Sequence, residues 1–554
     1  MKYLYAAVIT ASFPLLAAAQ TAQTSQPDAG TLLRQVQPVL PVPSQSPATG
    51  LTIEQGGVPP VPAGVPFAVR ALQVSGNSLI DTPTLLALVA DAEGRSLSLA
   101  QLVELAGRIT ALYQGRGYPL ARAIIPAQTI AGGVVRIEVI EARYGTTRLE
   151  NRSPVDDQLL QATLSPLQGG QVIRQAALDR TLLLLSDIPG VVATATLKPG
   201  QAVGTSDLVV LATPTAAVTG NATLDNYGNR FTGRARVGTT VNVINPLRHG
   251  DVLGLSALTS GRGMLYGRAT YETLLNGQGT RAGASFAALR YVIGEPLQAL
   301  QAHGTARVAS AWAKHPLVRS RDLNLYAQLQ YDRKQLEDRV DAGGIRTDRH
   351  LDNIGVNLAG DALLLDGINS WNLGVTSGRV GFDDPAAQLA DAATARTEGG
   401  FLRWNANFAR LQRLGANSAL YLAVSGQVAN RNLDSAEKMS VGGSYTVRAY
   451  DVGSVSGDAG YLATAEYRYD LGTVSHGRLQ AVAFIDAARI KLNQNAWAAG
   501  TNSATLSGAG AGLNWEGPNR WRVKAYLAAR VGPVPAAVAR SGSPRLWIDV
   551  IWGY

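Results

Sequence analysis

The chain has 554 residues, 46% of them hydrophobic and only 16% charged, with 59 glycines, 19 tyrosines and no cysteine. That length predicts roughly two to four folded units, and no apolar run after the first twenty residues reaches the roughly 20 residues of a spanning helix, which excludes a helical inner-membrane protein. Residues 1–217 carry 14 basic and 14 acidic side chains while 218–554 carry 35 and 26, so the whole net charge of +9 lies in the second part; with no helix-turn-helix or zinc-finger spacing to suggest nucleic acid, it points to an anionic surface or a lined pore.

Residues 1–19 read as an export signal. Lys2 supplies the positive start, Tyr3 to Leu16 is mostly apolar, and Ala17-Ala18-Ala19 offers the small residues of a cleavage site. In the segment 20–37, DAGTLLRQVQ (28–37) predicts a short amphipathic helix: Asp28 is placed to cap it, and Ala29, Leu32, Leu33 and Val36 share one face. So short a helix is not stable alone in water, so this one should dock on something. Residues 38–66 hold eight prolines in 29 positions and read as an extended spacer, with a reach of roughly 90 Å.

Residues 67–217 read as two copies of one module, 67–143 and 144–217. The first runs strand (69–74), helix (82–92), helix (99–114), strand (118–125) and strand (134–141). Leu102, Leu105, Ala106, Ile109 and Tyr113 form the apolar stripe of its second helix. The same order recurs at 144–150, 156–164, 174–186, 191–197 and 207–212. A repeat of about 75 residues without a catalytic constellation predicts binding modules. Each three-stranded sheet has edges, and an edge can accept an extended peptide as an extra strand.

From Thr219 onward the period becomes two. Leu323, Leu325, Ala327, Leu329 and Tyr331 alternate with polar residues, as do Trp521, Val523, Ala525, Leu527 and Ala529, and near the end Leu546, Ile548, Val550, Trp552 and Tyr554 share a face. One apolar and one polar face in segment after segment predicts a membrane β-barrel over 218–554 with a carboxy-terminal barrel signal at Trp552 and Tyr554. Sixteen segments start near Thr219, Arg234, Gly250, Met264, Arg281, His303, Arg321, His350, Ser370, Gly399, Ser418, Tyr461, Arg478, Leu506, Arg520 and Arg545. The number is even, as a bacterial barrel requires, and leaves a water-wide lumen. The wide gaps at 333–349, 381–398 and 429–460 are expected to be extracellular loops.

Three stretches carry a resemblance: GYPLARAIIPAQTIAGGVVRIEVIEARYG (117–145), ALDRTLLLLSDIPGVVATATLKPG (177–200) and VGGSYTVRAYD (441–451). Together they resemble the TpsB transporters of two-partner secretion, the haemolysin secretion/activation family within the BamA-type superfamily. The resemblance extends in order over the mature chain. It implies α+β periplasmic modules (two POTRA domains, βααββ) followed by a 16-stranded outer-membrane barrel that exports one large exoprotein, TpsA, without ATP. It also implies that Leu32, Leu33 and Val36 belong to a plug helix in the lumen. The partner would be a haemolysin, adhesin or contact-dependent toxin, and lipid, periplasmic chaperones and the barrel assembly machinery would serve biogenesis. Val447-Arg448-Ala449-Tyr450 matches the family's VRGY-type loop motif, which folds back into the lumen, and the segment FIDAARI makes Asp486 the acidic partner of Arg448. Strand parity agrees, since Leu479, Ala481, Ala483 and Ile485 face lipid and Asp486 therefore points inward. Ala449 stands where the family has glycine, and a β-carbon resists positive φ, so the departure bears on the shape of the tip.

Other chemistry finds no pattern. The histidines His249, His303, His315, His350 and His476 have no metal-ligand spacing, and no nucleotide-binding glycine loop occurs. No enzymatic step and no cofactor is expected. The rival readings are a BamA-type insertase and a passive porin. Two modules and a tethered helix favour secretion over the first, and a porin has no use for 150 periplasmic residues.

Overall fold

The computed structural model describes residues 27–36, 50–54, 65–539 and 542–554; the expected signal at 1–19 lies outside them. Helix α1 (Ala29–Val36) starts at Asp28, whose Oδ1 accepts from the Thr31 amide at 2.8 Å and satisfies a donor of the first turn. The spacer 38–66 is not extended chain alone. Its residues Gly50–Ile53 form strand β1, which pairs in parallel with a strand of the second module, Gly50 opposite Thr194 and Ile53 opposite Leu197.

The first module comprises β2 (Phe67–Ala68), β3 (Ala71–Ser75), α2 (Thr82–Ala87), β4 (Ser96–Leu97), α3 (Leu99–Gly115), β5 (Arg122–Ile124) and β6 (Val134–Ile140), with the main sheet ordered β3-β6-β5. Ser98 and Gln101 form a reciprocal capping box at the start of α3, and its buried residues are Leu102, Leu105, Ala106, Ile109 and Tyr113. α2 stops at Ala87, short of the expected Ala92. A single 3₁₀ turn (Ala90–Ala92) follows, because the chain must return to the sheet, where Val69 donates to the Arg95 carbonyl and Gly94 to that of Val69.

The second module comprises β7 (Arg143–Asn151), α4 (Asp157–Leu164), α5 (Gln175–Ser186), β8 (Val191–Pro199) and β9 (Thr205–Pro214). Its sheet is ordered β1-β8-β9-β7, four strands rather than the expected three. The module is fixed to the barrel. Arg319 grips Asp187 with Nε and Nη2 at 2.7 and 2.8 Å, Arg321 meets Asp179 at 2.5 Å, and Asp156 donates its amide to the Arg248 carbonyl. Leu274 at a barrel turn joins the module's apolar core.

Sixteen antiparallel strands from Val218–Asp225 to Arg545–Gly553 form a closed barrel. Side chains alternate as the membrane demands: Phe286, Leu329, Ile354, Leu373, Val424 and Ile485 are exposed outside, while polar neighbours line the lumen. The wall is uneven in height. The first strand has 8 residues, whereas the seventh (Leu323–Val340) and eighth (Ile345–Leu364) have 18 and 20, well beyond the roughly 9–11 needed to cross a bilayer. The stretch 333–349 is therefore not a loop. It is the projecting end of that hairpin, closed by a turn at Asp341–Gly344. The gap 381–398 contains a helix (Pro385–Ala393), and 430–458 turns into the barrel.

Candidate functional site: the plug helix and lumenal loop

Residues 430–458 connect the eleventh barrel strand (Ser418–Ala429) to the twelfth (Ala459–Val474). A small hairpin, Met439–Val441 with Val455–Gly457, sets the loop's direction, and Gly442 and Gly443 turn the chain with φ near +99° and +115°. The tip then drops against the wall, where Val447, Arg448, Ala449 and Tyr450 are all buried. Arg448 meets Asp486 of the thirteenth strand (Gly477–Lys491): its Nε donates to Oδ2 at 2.9 Å, Nη2 to Oδ1 at 2.7 Å and its own amide to Oδ2 at 3.1 Å. Asp486 is fully buried. A second acid completes the site, since Nη1 donates to Glu466 at 2.7 Å, and Arg468 shares that carboxylate at 2.6 Å. The Arg448 guanidinium lies 3.4 Å from the centre of the Phe484 ring, and Trp547 donates its indole N–H to the Arg448 carbonyl at 2.7 Å. Paired fork-to-carboxylate bonds in a dry site fix both position and orientation.

Ala449 does not have positive φ, so the tip needs no glycine there. Its methyl sits over Gly508, the register partner of Asp486 on the fourteenth strand (Ser503–Glu516). A β-carbon on Gly508 would collide with that methyl. The space for the loop's extra carbon is left by the wall.

Helix α1 lies in the lumen. Leu32 and Leu33 are buried among Phe231, Met264, Leu289, Leu336 and Phe401, and Val36 packs at the margin of the same cluster. Its start is tied down by charge. Arg349 of the eighth strand reaches three carboxylates: Asp28 of the helix cap at 2.9 Å, Asp338 of the wall at 2.6 Å and Asp434 of the lumenal loop at 2.6 Å. Ser435 also donates to Asp28 at 2.6 Å, and the Ala29 amide donates to Asp338 at 2.8 Å. Burial raises the pKa of Asp28, but Arg349 and the hydrogen bonds from Ser435 and Thr31 outweigh it and hold the carboxyl below its ordinary range. Gly30 allows the helix backbone to touch Ala436, with room for no β-carbon. A further loop acid, Glu437, meets Lys334 at 2.5 Å and Arg403 at 3.1 Å; burial opposes its charge, yet these cations keep its pKa at about 2.

A family model described as haemolysin secretion/activation protein ShlB/FhaC/HecB matches residues 204–515, and a model of the ShlB-type POTRA domain matches 67–142. The chain belongs to the haemolysin secretion/activation family. Among similar proteins, the heme/hemopexin transporter protein HuxB of Haemophilus influenzae (strain 86-028NP) is 26% identical over 538 residues, covering 95% of this chain and 94% of its own. The outer membrane transporter CdiB of Escherichia coli is 24% identical over 463 residues, 81% and 76% of the two chains. In fold, the solved structure of CdiB from Escherichia coli covers 91% of this chain and 93% of its own with a TM-score of 0.72 at 20% identity. That of CdiB from Acinetobacter baumannii covers 89% and 91% with a TM-score of 0.63 at 16% identity.

This member of the haemolysin secretion/activation family is thus an outer-membrane transporter whose POTRA modules face the periplasm. The motif residues of the loop lie together with Asp486, and Leu32, Leu33 and Val36 share the lumenal cluster. Trp552 and Tyr554 lie elsewhere, on the outer face at the periplasmic rim, where Tyr554 and Gly220 exchange backbone hydrogen bonds at 3.0 and 3.1 Å across the closing seam. Sequence reasoning missed Glu466, Gly508 and the Arg349 cluster. Glu466 had a usable signal, because it shares inward parity with Thr464 and Arg468. The capping pattern accounts for only one oxygen of Asp28; the second takes Arg349 and the Ser435 hydroxyl.

Proposed function

We propose that this transporter captures one unfolded exoprotein on its periplasmic modules and passes it through the barrel after the plug helix and lumenal loop have moved. The observation that carries this reading is the way the lumen is closed. Two segments of the same chain fill it, and both are held to the wall by ion pairs at named positions as well as by apolar contact. Ion pairs of this kind bind a segment in one place and hold nothing once it leaves, which suits a closure that must be undone. Apart from the apolar patch that receives α1, the lumenal face is polar and gives a passing chain little to stick to. With no nucleotide-binding pattern in the sequence, folding of the exported chain outside the cell is the drive this reading favours. The exoprotein is a TpsA-type partner, with outer-membrane lipid as solvent and chaperones and assembly machinery needed only for biogenesis. Depletion tests the reading. Losing this protein should remove one exoprotein from the culture medium and leave the outer-membrane protein profile unchanged; loss of many barrel proteins would mark an insertase instead.

A further inference from the structure

The outer surface of the barrel carries a row of arginines where the apolar band ends. On the fifth barrel strand (Arg281–Val292), Arg290 follows the outward residues Phe286 and Ala288, and on the sixth (Ala302–Arg319) Arg307 stands one outward step beyond Ala309. On the seventh, Arg333 follows Leu329 and Tyr331, and on the ninth (Gly367–Phe382) Arg379 stands beyond Leu373 and Val375. All four are exposed, and their strand neighbours Leu289, Ala306, Lys334 and Val380 are buried on the lumenal side, so the arginines point away from the lumen. They lie toward the extracellular end, because the fifth strand begins at Arg281, which donates to the Asp187 carbonyl of the periplasmic module. Tyr331, one step below Arg333, belongs to the aromatic girdle that borders a bilayer.

The register makes the row continuous. Arg307 lies opposite Ala288 and Gln335, which makes Arg290 and Arg333 its diagonal neighbours on either side, roughly 7–8 Å away. Arg379 lies opposite Asp352, which takes Arg333 at 3.3 Å and the Tyr331 hydroxyl at 2.6 Å. The other acids of this surface are engaged too: Asp348 pairs with Arg339, and Glu337 accepts from the Thr305 hydroxyl at 3.2 Å. Among the described residues no carboxylate forms an ion pair with Arg290, Arg307 or Arg379.

We infer that this row binds the phosphate groups of the outer-leaflet glycolipid, whose headgroup is a phosphorylated diglucosamine. The inference requires only the placement of the barrel in the outer membrane, not the passage of an exoprotein. A charged side chain on the outer wall is costly within the acyl layer and favourable at an anionic lipid surface. Like charges on neighbouring strands repel one another unless an anion lies between them. A guanidinium fork binds phosphate oxygens bidentately, and two arginines at this spacing can close on one phosphate from both sides. Directly below them Phe286 and Leu329 are exposed to the acyl layer. A ligand with both acyl chains and phosphate therefore gains contacts that a free anion does not, and a headgroup with two phosphates engages more of the row than a phospholipid with one. The wall is also tallest here. The sixth, seventh and eighth strands have 18, 18 and 20 residues against 8 in the first, so the surface beyond the arginines stands among the lipid's sugars, where its polar and paired charged side chains are suited.

The test compares the full-length wild type with R290Q/R307Q/R333Q, both purified in a neutral detergent and checked for a folded barrel by heat-modifiable migration. Each is titrated with bis-phosphorylated lipid A, with the same lipid stripped of its phosphates and with phosphatidylglycerol, and bound lipid is counted by native mass spectrometry. The wild type should bind the phosphorylated glycolipid at least about tenfold more tightly than the variant, while the stripped glycolipid binds both equally. Equal binding of the phosphorylated glycolipid by the two proteins overturns the inference. A loss for phosphatidylglycerol as large as that for the glycolipid overturns it as well, since the row would then read any acidic lipid. Inorganic phosphate should not displace the bound glycolipid; displacement would assign the row to a free anion instead. Should the triple variant fail to assemble, R307Q alone, central in the row, is scored in the same way and should lose about threefold; no loss by a folded R307Q overturns the inference.

Discussion

Arg448 is held by two acids from adjacent strands, an aromatic face and a bond to its own carbonyl. Removing one partner of a buried pair strands the other, at a cost of about 3–5 kcal/mol. Arg448→Glu should therefore abolish secretion while the barrel still inserts, as measured by exoprotein in the medium and by heat-modifiable migration of the transporter. Reversing Asp486 as well should restore only part, because Glu466 would then face the new glutamate. Undiminished secretion by the single variant would contradict the loop's role as a gate. The Ala449–Gly508 contact makes a reciprocal prediction. Gly508→Ala forces two methyl groups into one space, an overpacking of about 1–3 kcal/mol, and should lower secretion several-fold; adding Ala449→Gly should return it to the wild-type level. Arg448 and Asp486 were legible from motif and parity. Gly508 was not, because its part depends on the register that places it opposite Asp486, and register is a property of pairing rather than of one strand's residues.

Among the elements, the plug helix depends most on a single cation. Arg349 neutralises carboxylates from the helix, the wall and the loop, so it couples the positions of all three. Arg349→Gln leaves these acids facing one another, and a buried site in that state is destabilised by about 3 kcal/mol or more. The plug should then leave the lumen far more often, seen as a several-fold rise in open-channel occupancy in planar bilayers; an unchanged conductance record would show that apolar packing alone holds the helix. The amphipathic face of α1 was legible because its apolar residues recur at helical spacing. Strand β1 was hidden, since four residues among prolines become a strand only through the edge that receives them. The hairpin at 333–349 looks like a loop in the sequence for a different reason. It projects beyond the bilayer, where neither face needs to be apolar, so alternation gives way to cross-strand ion pairs such as Arg339 with Asp348 and Arg333 with Asp352 at 3.3 Å.

At the scale of the whole molecule, closure and anchoring follow from the barrel's two ends. The first and last strands pair over five positions, Asn221–Asp225 with Asp549–Gly553, against 18 between the seventh and eighth. The second module is clamped beneath the barrel by Arg319 and Arg321, so a segment captured on its sheet is held close to the lumen. Strand number and order were legible because a period of two survives wherever lipid lies on one side and water on the other. The central claim is that another polypeptide passes through this lumen. Gln328 and Leu329 are neighbours on the seventh strand facing opposite ways: Gln328 bonds to lumenal Gln330 at 2.8 Å, and Leu329 is exposed on the outer face. A photo-cross-linking residue placed at Gln328 should capture a stalled exoprotein during export, and the same residue at Leu329 should capture none. Cross-links from Leu329 alone, or from neither position while secretion proceeds, would contradict passage through the barrel.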